Sequence, residues 1–238
     1  MDVKPDLSVF GIPGIGEIER GAPLADIIGD AIVSHLTTLV QGDIVVVTHK
    51  VISKAEGRFA KPVDGSVVEI VENEASAILR RRGELTITRT RHGFICANAG
   101  VDRSNVPGED VVLLPLRPDR SAASIRNRLM KRFGTDIAVV VTDTFGRAWR
   151  RGLVDVAIGI AGLPALIDHR GKPDHTGRIM EVTEVAIIDE IAAAADLVMG
   201  KATSIPVAVM RGLDLGAQSS GNGKATDLVR SASEDFFL

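Results

Sequence analysis

Two acidic loops hold the side chains of this chain best suited to chemistry. One runs Thr142-Asp143-Thr144-Phe145-Gly146-Arg147-Ala148-Trp149-Arg150-Arg151-Gly152 and directly follows the apolar run DIAVVVT at 136–142. A carboxylate at a strand end is a hard oxygen ligand for Mg2+ or Mn2+, and the Thr144 hydroxyl can add another oxygen. Arg147, Arg150 and Arg151 follow closely, and guanidinium groups match phosphates and carboxylates with paired hydrogen bonds. A strand-end turn with its arginines in water explains the same residues equally well. The other loop is Asn98-Ala99-Gly100-Val101-Asp102-Arg103-Ser104-Asn105-Val106. It offers Asp102 as a second metal carboxylate and Asn105 as a polar group for a base or sugar. Asp, Ser and Asn also stabilise turns without any ligand, and alone this loop reads as a turn.

Two further stretches have residue types suited to an anion. THKVISKAEGR at 48–58 follows another apolar run, and Lys50, Lys54 and Arg58 recur at four-residue spacing. In a helix they form one cationic stripe, which suits phosphate but is more commonly a solvated basic face. FGIPGIG at 10–16 has the glycines that let a backbone approach a ligand closely. A plain turn ahead of a helix accounts for it as well.

These stretches need elements to hold them. Residues 43–48, 136–142 and 206–210 are short apolar runs rich in valine and isoleucine, and 110–114 is a weaker fourth. Such runs read as strands buried on both faces. Residues 85–90 and 93–98 alternate around Arg91-His92-Gly93 and predict a hairpin. Helices are expected at 23–39 from Pro23, at 73–82 from Asn73 to Gly83, at 119–133 ahead of Gly134, and at 184–199, stopping at Gly200. The glycine- and serine-rich 212–223 predicts a mobile loop, and 224–238 a short helix. Helices and strands mix without repeat or linker. The expectation is an α+β fold in one unit over 1–238, with two interleaved subdomains as the alternative.

Composition narrows the function. With 238 residues, 45% of them hydrophobic, the chain can bury a substantial core. Aromatics are 3%, with no Tyr and one Trp, which disfavours a base-stacking surface. A net charge of −3 speaks against duplex binding. The cluster Arg126, Arg128, Lys131 and Arg132 reads as the solvated face of a helix. Cys96 is the sole cysteine, so no intrachain disulfide forms, which fits a reducing compartment. The start, MDVKPDLSVFG, lacks the pattern of a signal peptide. No apolar run approaches the length of a membrane helix, so a cytoplasmic protein is expected. A P-loop is excluded because position 218 is Gln and Ala225 follows Lys224. The five histidines show no zinc spacing.

Taken in order, VISKAEGR (51–58), NAGVDRSNV (98–106), TDTFGRAWRRG (142–152), EVTEVAIIDEIAAAADLVMGK (181–201) and PVAVMRG (206–212) resemble the coenzyme F420:L-glutamate ligases. These are the F420-0 gamma-glutamyl ligases. The likeness runs from about residue 8 to about residue 212 and fits the stand-alone form of the family. It implies an intertwined α+β fold, a homodimer, and three small-molecule substrates: GTP, L-glutamate and the deazaflavin F420-0. By the same resemblance, Asp102 and Asp143 hold a divalent ion, Mg2+ or Mn2+, and Thr144 ligates a second. K+ is a further candidate ion. The nucleotide contacts Ile12, Pro13, Gly14, Ile15, His49, Lys54 and Asn105, with Lys54 on the phosphates. Some relatives carry a glutamate ligand of the second ion where this chain has Lys201. A catalytic set of Lys54, Asp143 and Arg147 follows, with Arg147, Arg150 and Arg151 added from their closeness to Asp143 as holders of a substrate phosphate or carboxylate. The same toolkit would serve a metal-dependent phosphohydrolase, or a nucleotide-binding module without turnover.

Overall fold

The computed structural model describes residues 6–103, 110–215 and 221–236, and structural counts refer to these. In chain order the elements are β1 (Ser8–Gly11), α1 (Leu24–Leu36), β2 (Ile44–Thr48), α2 (His49–Ala55), β3 (Phe59–Ala60) and α3 (Val68–Glu74). There follow β4 (Ala75–Arg82), β5 (Leu85–Thr90), β6 (Ile95–Ala97), β7 (Val111–Val112) and α4 (Pro118–Phe133). The last are β8 (Ala138–Arg147), β9 (Arg150–Ala161), β10 (Ile167–Asp168), β11 (Glu184–Val185), α5 (Ile187–Met199) and β12 (Val207–Arg211). Helices and mixed sheets of this kind make an α+β fold.

The valine runs build the centre. One sheet has the strand order β1-β12-β2-β8-β9. Within it β2 and β8 run parallel, from Ile44 opposite Ala138 to Thr48 opposite Thr142. The other pairings are antiparallel. Val45, Val46 and Val47, Val139, Val140 and Val141, and Val207 and Val209 have no exposed surface. A strand without burial alternation has both faces covered. Here α5 packs on β9, β1 and β12, α4 packs on β9 and β8, and α1 lies against α4. Smaller sheets, β4-β5-β6, β3-β7 and β10-β11, complete the structure.

Most expected elements form near their expected spans, with three differences. The helix predicted over 73–82 is not there. A short helix ends at Glu74, and Ala75–Arg82 is a strand whose burial alternates and which pairs antiparallel with β5. Alanine and leucine favour helix locally, but tertiary pairing overrides that preference. Residues 154–161, to which no element was assigned from sequence, supply much of the twelve-residue strand β9. The tail expected to form a helix holds a 3-10 turn at Ala225–Leu228. Of the loop expected at 212–223, residues 216–220 lie outside the described residues, and the flanking described positions carry no regular structure.

The seam between α4 and β9 is tight. A side-chain carbon added at Gly159 would lie 2.5 Å from the Pro118 carbonyl carbon, at the first residue of α4. Gly159→Ala therefore forces the helix off the sheet. We expect it to lower stability by about 1–3 kcal/mol, read as a drop in thermal midpoint; an unchanged midpoint would show that the seam yields.

Candidate active site at the strand ends

Four of the stretches singled out by sequence meet at one end of the central sheet. Thr48 closes β2 opposite Thr142 of β8. The Thr48 amide donates to Pro206 O (3.0 Å), and the Ile12 amide donates to Val207 O (2.8 Å). The loop after β1, the start of α2, the outer half of β8 and the loop before β12 are therefore neighbours. This is the carboxyl end of the parallel pair, where α/β proteins place their ligands.

The two acidic loops converge on the first turn of α2. His49 is 1% exposed, and its Nε2 lies 3.2 Å from Asp143 Oδ1. That approach is not in line for a hydrogen bond, so Nε2 is a buried nitrogen without a well-directed partner. Asp143 Oδ1 also accepts the Thr144 amide at 2.7 Å. The next residue, Lys50, places Nζ 2.7 Å from Asp102 Oδ2. Asp102 is held by a pair of backbone hydrogen bonds with Val112 (2.9 and 2.8 Å). Cys96 lies close enough to feel Asp143. Burial first, and then that negative charge, push its thiol up to about 12, so it stays protonated and is no nucleophile.

Lys54 is on the same helix, nearly buried, with Nζ paired to Glu17. That pair ties α2 to the segment after β1. In this segment Ile12 and Ile15 bury their side chains in the core, while Pro13 and Gly14 are exposed. Of Ile12 to Ile15, Pro13 and Gly14 are the two that present surface to a ligand. Gly14 sits at φ +83°, and a methyl group added to it would have nothing within 4 Å, so glycine is needed for conformation rather than space. The cationic stripe is shorter than expected. The helix stops at Ala55, and Arg58 turns inward to Leu114 O and Glu74 as a structural brace.

Thr144 points away from this cluster. Adjacent residues of a strand project to opposite faces, and Thr142 and Thr144 both donate to Asp155 of β9, at 3.3 and 2.6 Å. Lys201 closes this second group. Its Nζ lies 2.7 Å from Thr144 Oγ1, 2.7 Å from Asp155 Oδ1 and 2.9 Å from Asp196 Oδ1. The arginines expected beside Asp143 are not there. β8 runs straight on, so Arg147 lies roughly 13 Å further along at the usual rise per residue. It pairs with Arg150 at the tip of an exposed hairpin and donates to Arg151 O (2.6 Å). Asn105 lies outside the described residues.

The donor set decides which ions fit. Among the described residues no group of three His, Cys, Asp or Glu side chains is close enough to hold a metal. Asp102 and Asp143 instead present two carboxylates beside consecutive residues of α2. That suits Mg2+ or Mn2+, which bind through one or two carboxylates and complete their shell with water and substrate phosphate. The Thr144 hydroxyl does not suit a second ion, because Lys201 and Asp155 already engage it.

The chain is similar to proteins of known assignment along nearly its whole length. The family description F420-0:Gamma-glutamyl ligase matches residues 14–212. The chain belongs to this family. Among its relatives is the coenzyme F420:L-glutamate ligase of Methanopyrus kandleri, 40% identical over 98% of both chains. Those of Methanothermobacter thermautotrophicus (38%, over 97% of this chain and 98% of the relative) and Methanocaldococcus jannaschii (41%, over 82% and 84%) are similar to the same degree.

For a member of the F420-0 gamma-glutamyl ligase family, sequence reasoning missed three acidic residues of this region. Asp196 sits in the segment read as helix 184–199, and Glu17 and Asp155 lie in segments given no reading from sequence. Only pairing across β8 and β9 and the helix end reveals them. If Asp102 and Asp143 bind the ion, Asp143→Asn should weaken Mn2+ binding by roughly 100-fold. Arg147→Ala, Arg150→Ala and Arg151→Ala should change it by less than about twofold. Titration followed by electron paramagnetic resonance reads both; a matching loss in an arginine variant would bring the hairpin to the ion.

Proposed function

We propose that this chain is a GTP-dependent ligase that adds L-glutamate to the lactyl-phosphate side chain of F420-0 and then extends the tail through gamma linkages. Membership of the gamma-glutamyl ligase family supports the reaction class. The observation that carries the mechanism is the convergence of Asp102 and Asp143 on consecutive residues of α2, with Lys54 one turn further along the same helix.

The reaction has two steps. A carboxylate oxygen of the acceptor attacks the γ-phosphorus of GTP, and the bond to the bridging oxygen breaks, releasing GDP and leaving an acyl phosphate. The glutamate amine then attacks the acyl carbon; phosphate departs with its oxygen, the amine loses a proton, and an amide remains. Asp102 and Asp143 would hold a divalent ion, which would supply positive charge to offset that of the phosphates. Lys54, released from Glu17, puts its ammonium on the phosphates as charge builds on them. The exposed Pro13-Gly14 backbone lets the nucleotide approach closely. His49, buried beside Asp143, orients that carboxylate. Closure of the site must exclude water, since the acyl phosphate would otherwise hydrolyse. We also place the protein as a homodimer, because Trp149 and Leu153 stand 78% and 70% exposed on the β8–β9 arm. Trp149→Ser with Leu153→Ser should then yield monomers in sedimentation; a dimer that persists would move the interface elsewhere.

The ligase reading is tested by incubating the protein with GTP, Mg2+ or Mn2+, L-glutamate and F420-0. The expected product is heavier by one glutamyl unit, then by further units. Phosphate release without that product would favour the phosphohydrolase, and nucleotide binding with neither would favour a module without turnover. Lys54→Met should lower kcat/KM for GTP by on the order of 10²–10³ with the thermal midpoint kept; full activity would remove Lys54 from the mechanism.

A further inference from the structure

We propose that the Lys201 ammonium is the resident cation beside Thr144, so that this chain binds one divalent ion, at Asp102 and Asp143, and has no place for a second. The count of one rests on the metal reading above; the claim about Lys201 does not.

The ammonium has a complete set of partners. Its three hydrogens meet three oxygens, at 2.7, 2.7 and 2.9 Å, from β8, β9 and α5, and an ammonium has three donors to give. Asp155 is the reason such a cation is needed. It is 4% exposed, and a buried carboxylate is stable only when paired and hydrogen-bonded. Thr142 and Thr144 donate to it from one strand, and Lys201 supplies the charge. Burial works against the charge on Lys201, but the hydrogen bonds it donates to Asp155 and Asp196 outweigh it and hold the ammonium above its ordinary range.

The chain geometry delivers the side chain to this position. α5 ends at Met199, and Gly200 follows at φ +58°. The turn is braced by Thr203, whose hydroxyl donates to Met199 O. Lys201 thus reaches back over the helix end to Asp196 and across to the sheet, with 57% of its side chain in water. A divalent ion on the Thr144 hydroxyl would have to displace this ammonium from both carboxylates or sit against its positive charge. Nor can the ion at Asp143 serve Thr144, since the two side chains leave β8 on opposite faces.

Lys201→Glu removes the ammonium and adds a carboxylate beside Asp155, Asp196 and Thr144. Lys201→Gln removes the charge with little change in shape and guards against a variant that misfolds; circular dichroism and thermal midpoint check both. Bound Mn2+ per chain is counted by electron paramagnetic resonance at saturation. We expect one ion in the wild type, two in Lys201→Glu, and a second, weaker ion in Lys201→Gln. Two ions in the wild type would overturn the inference, as would folded variants that gain none. Asp143→Asn, made in the wild type and in Lys201→Glu, should remove one ion from each. A wild type with no ion beside a Lys201→Glu with one would leave Lys201 in its role and refute the Asp102–Asp143 reading instead.

Discussion

The site depends on the register of β2 against β8. Thr48 lies opposite Thr142, so the chain leaves β2 into α2 just where Asp143 emerges from β8. A slip of one residue would exchange the faces of every side chain, sending Asp143 toward Asp155 and Thr144 toward His49. Hydrophobic patterning cannot set this register, because both strands are apolar on both faces. Backbone bonds ahead of the strands do: the Gly42 amide donates to Asp136 O (3.0 Å) and the Ala138 amide to Asp43 O (2.9 Å), and polar groups fix each strand against its other neighbour. At the far end the nearly buried Asp43 accepts two hydrogen bonds from Arg211, at 2.8 and 2.7 Å, and one from Val40 N at 2.9 Å. At the near end Thr142 and Thr144 anchor on Asp155. A shifted strand would strand a buried carboxylate at one end or the other, a penalty of several kcal/mol.

Among the described residues, the charges named in the site lie beside others of the chain: Asp143 beside His49, Asp102 with Lys50, Lys54 with Glu17, and Lys201 with two carboxylates. These pairs are not equally committed. Glu17 is 60% exposed, so water can replace Lys54 as its partner at small cost. Asp155 is buried and loses far more if Lys201 leaves. The Lys54–Glu17 pair is therefore the easier of the two to part. The first cation is available for recognition, and the second is part of the framework.

How much of this was legible depends on which interactions are local. DIVVVT and DIAVVVT announce two buried strands because continuous β-branched runs have few other uses. The turn residues at Gly134 and Gly200 likewise end helices where expected. ASAILRRR did not announce a strand, because its small and unbranched residues favour helix and only pairing with β5 decides otherwise. Within the site, Asp102, Asp143 and Lys54 stood out as charged residues at strand or helix ends, and the family likeness joined them. Asp155 did not, since a lone Asp in VDVAIGIA gives no hint that β9 will set it beneath two threonines. The arginines of RAWRR misled for the opposite reason. Closeness in sequence implies closeness in space within a turn or helix, but an extended strand carries four residues out of reach.

The same pleat explains why Asp143 and Thr144, adjacent in the chain, belong to different electrostatic groups. A metal shared between their side chains would require the strand to twist out of its pairing with β9, which continues past both of them to Arg147. The chain instead treats each face separately: Lys201 neutralises the Asp155 face, while Asp143 lies beside His49. A tethered ammonium has already surrendered most of its translational freedom, so it needs no ambient metal to hold its position. Its limit is charge: one positive centre between Asp155 and Asp196 leaves the group net negative by one. That residual charge lies on the face away from Asp143 and disfavours an anion there. The cations Lys50 and Lys54 stand on α2, beside the face of the strand that carries Asp143.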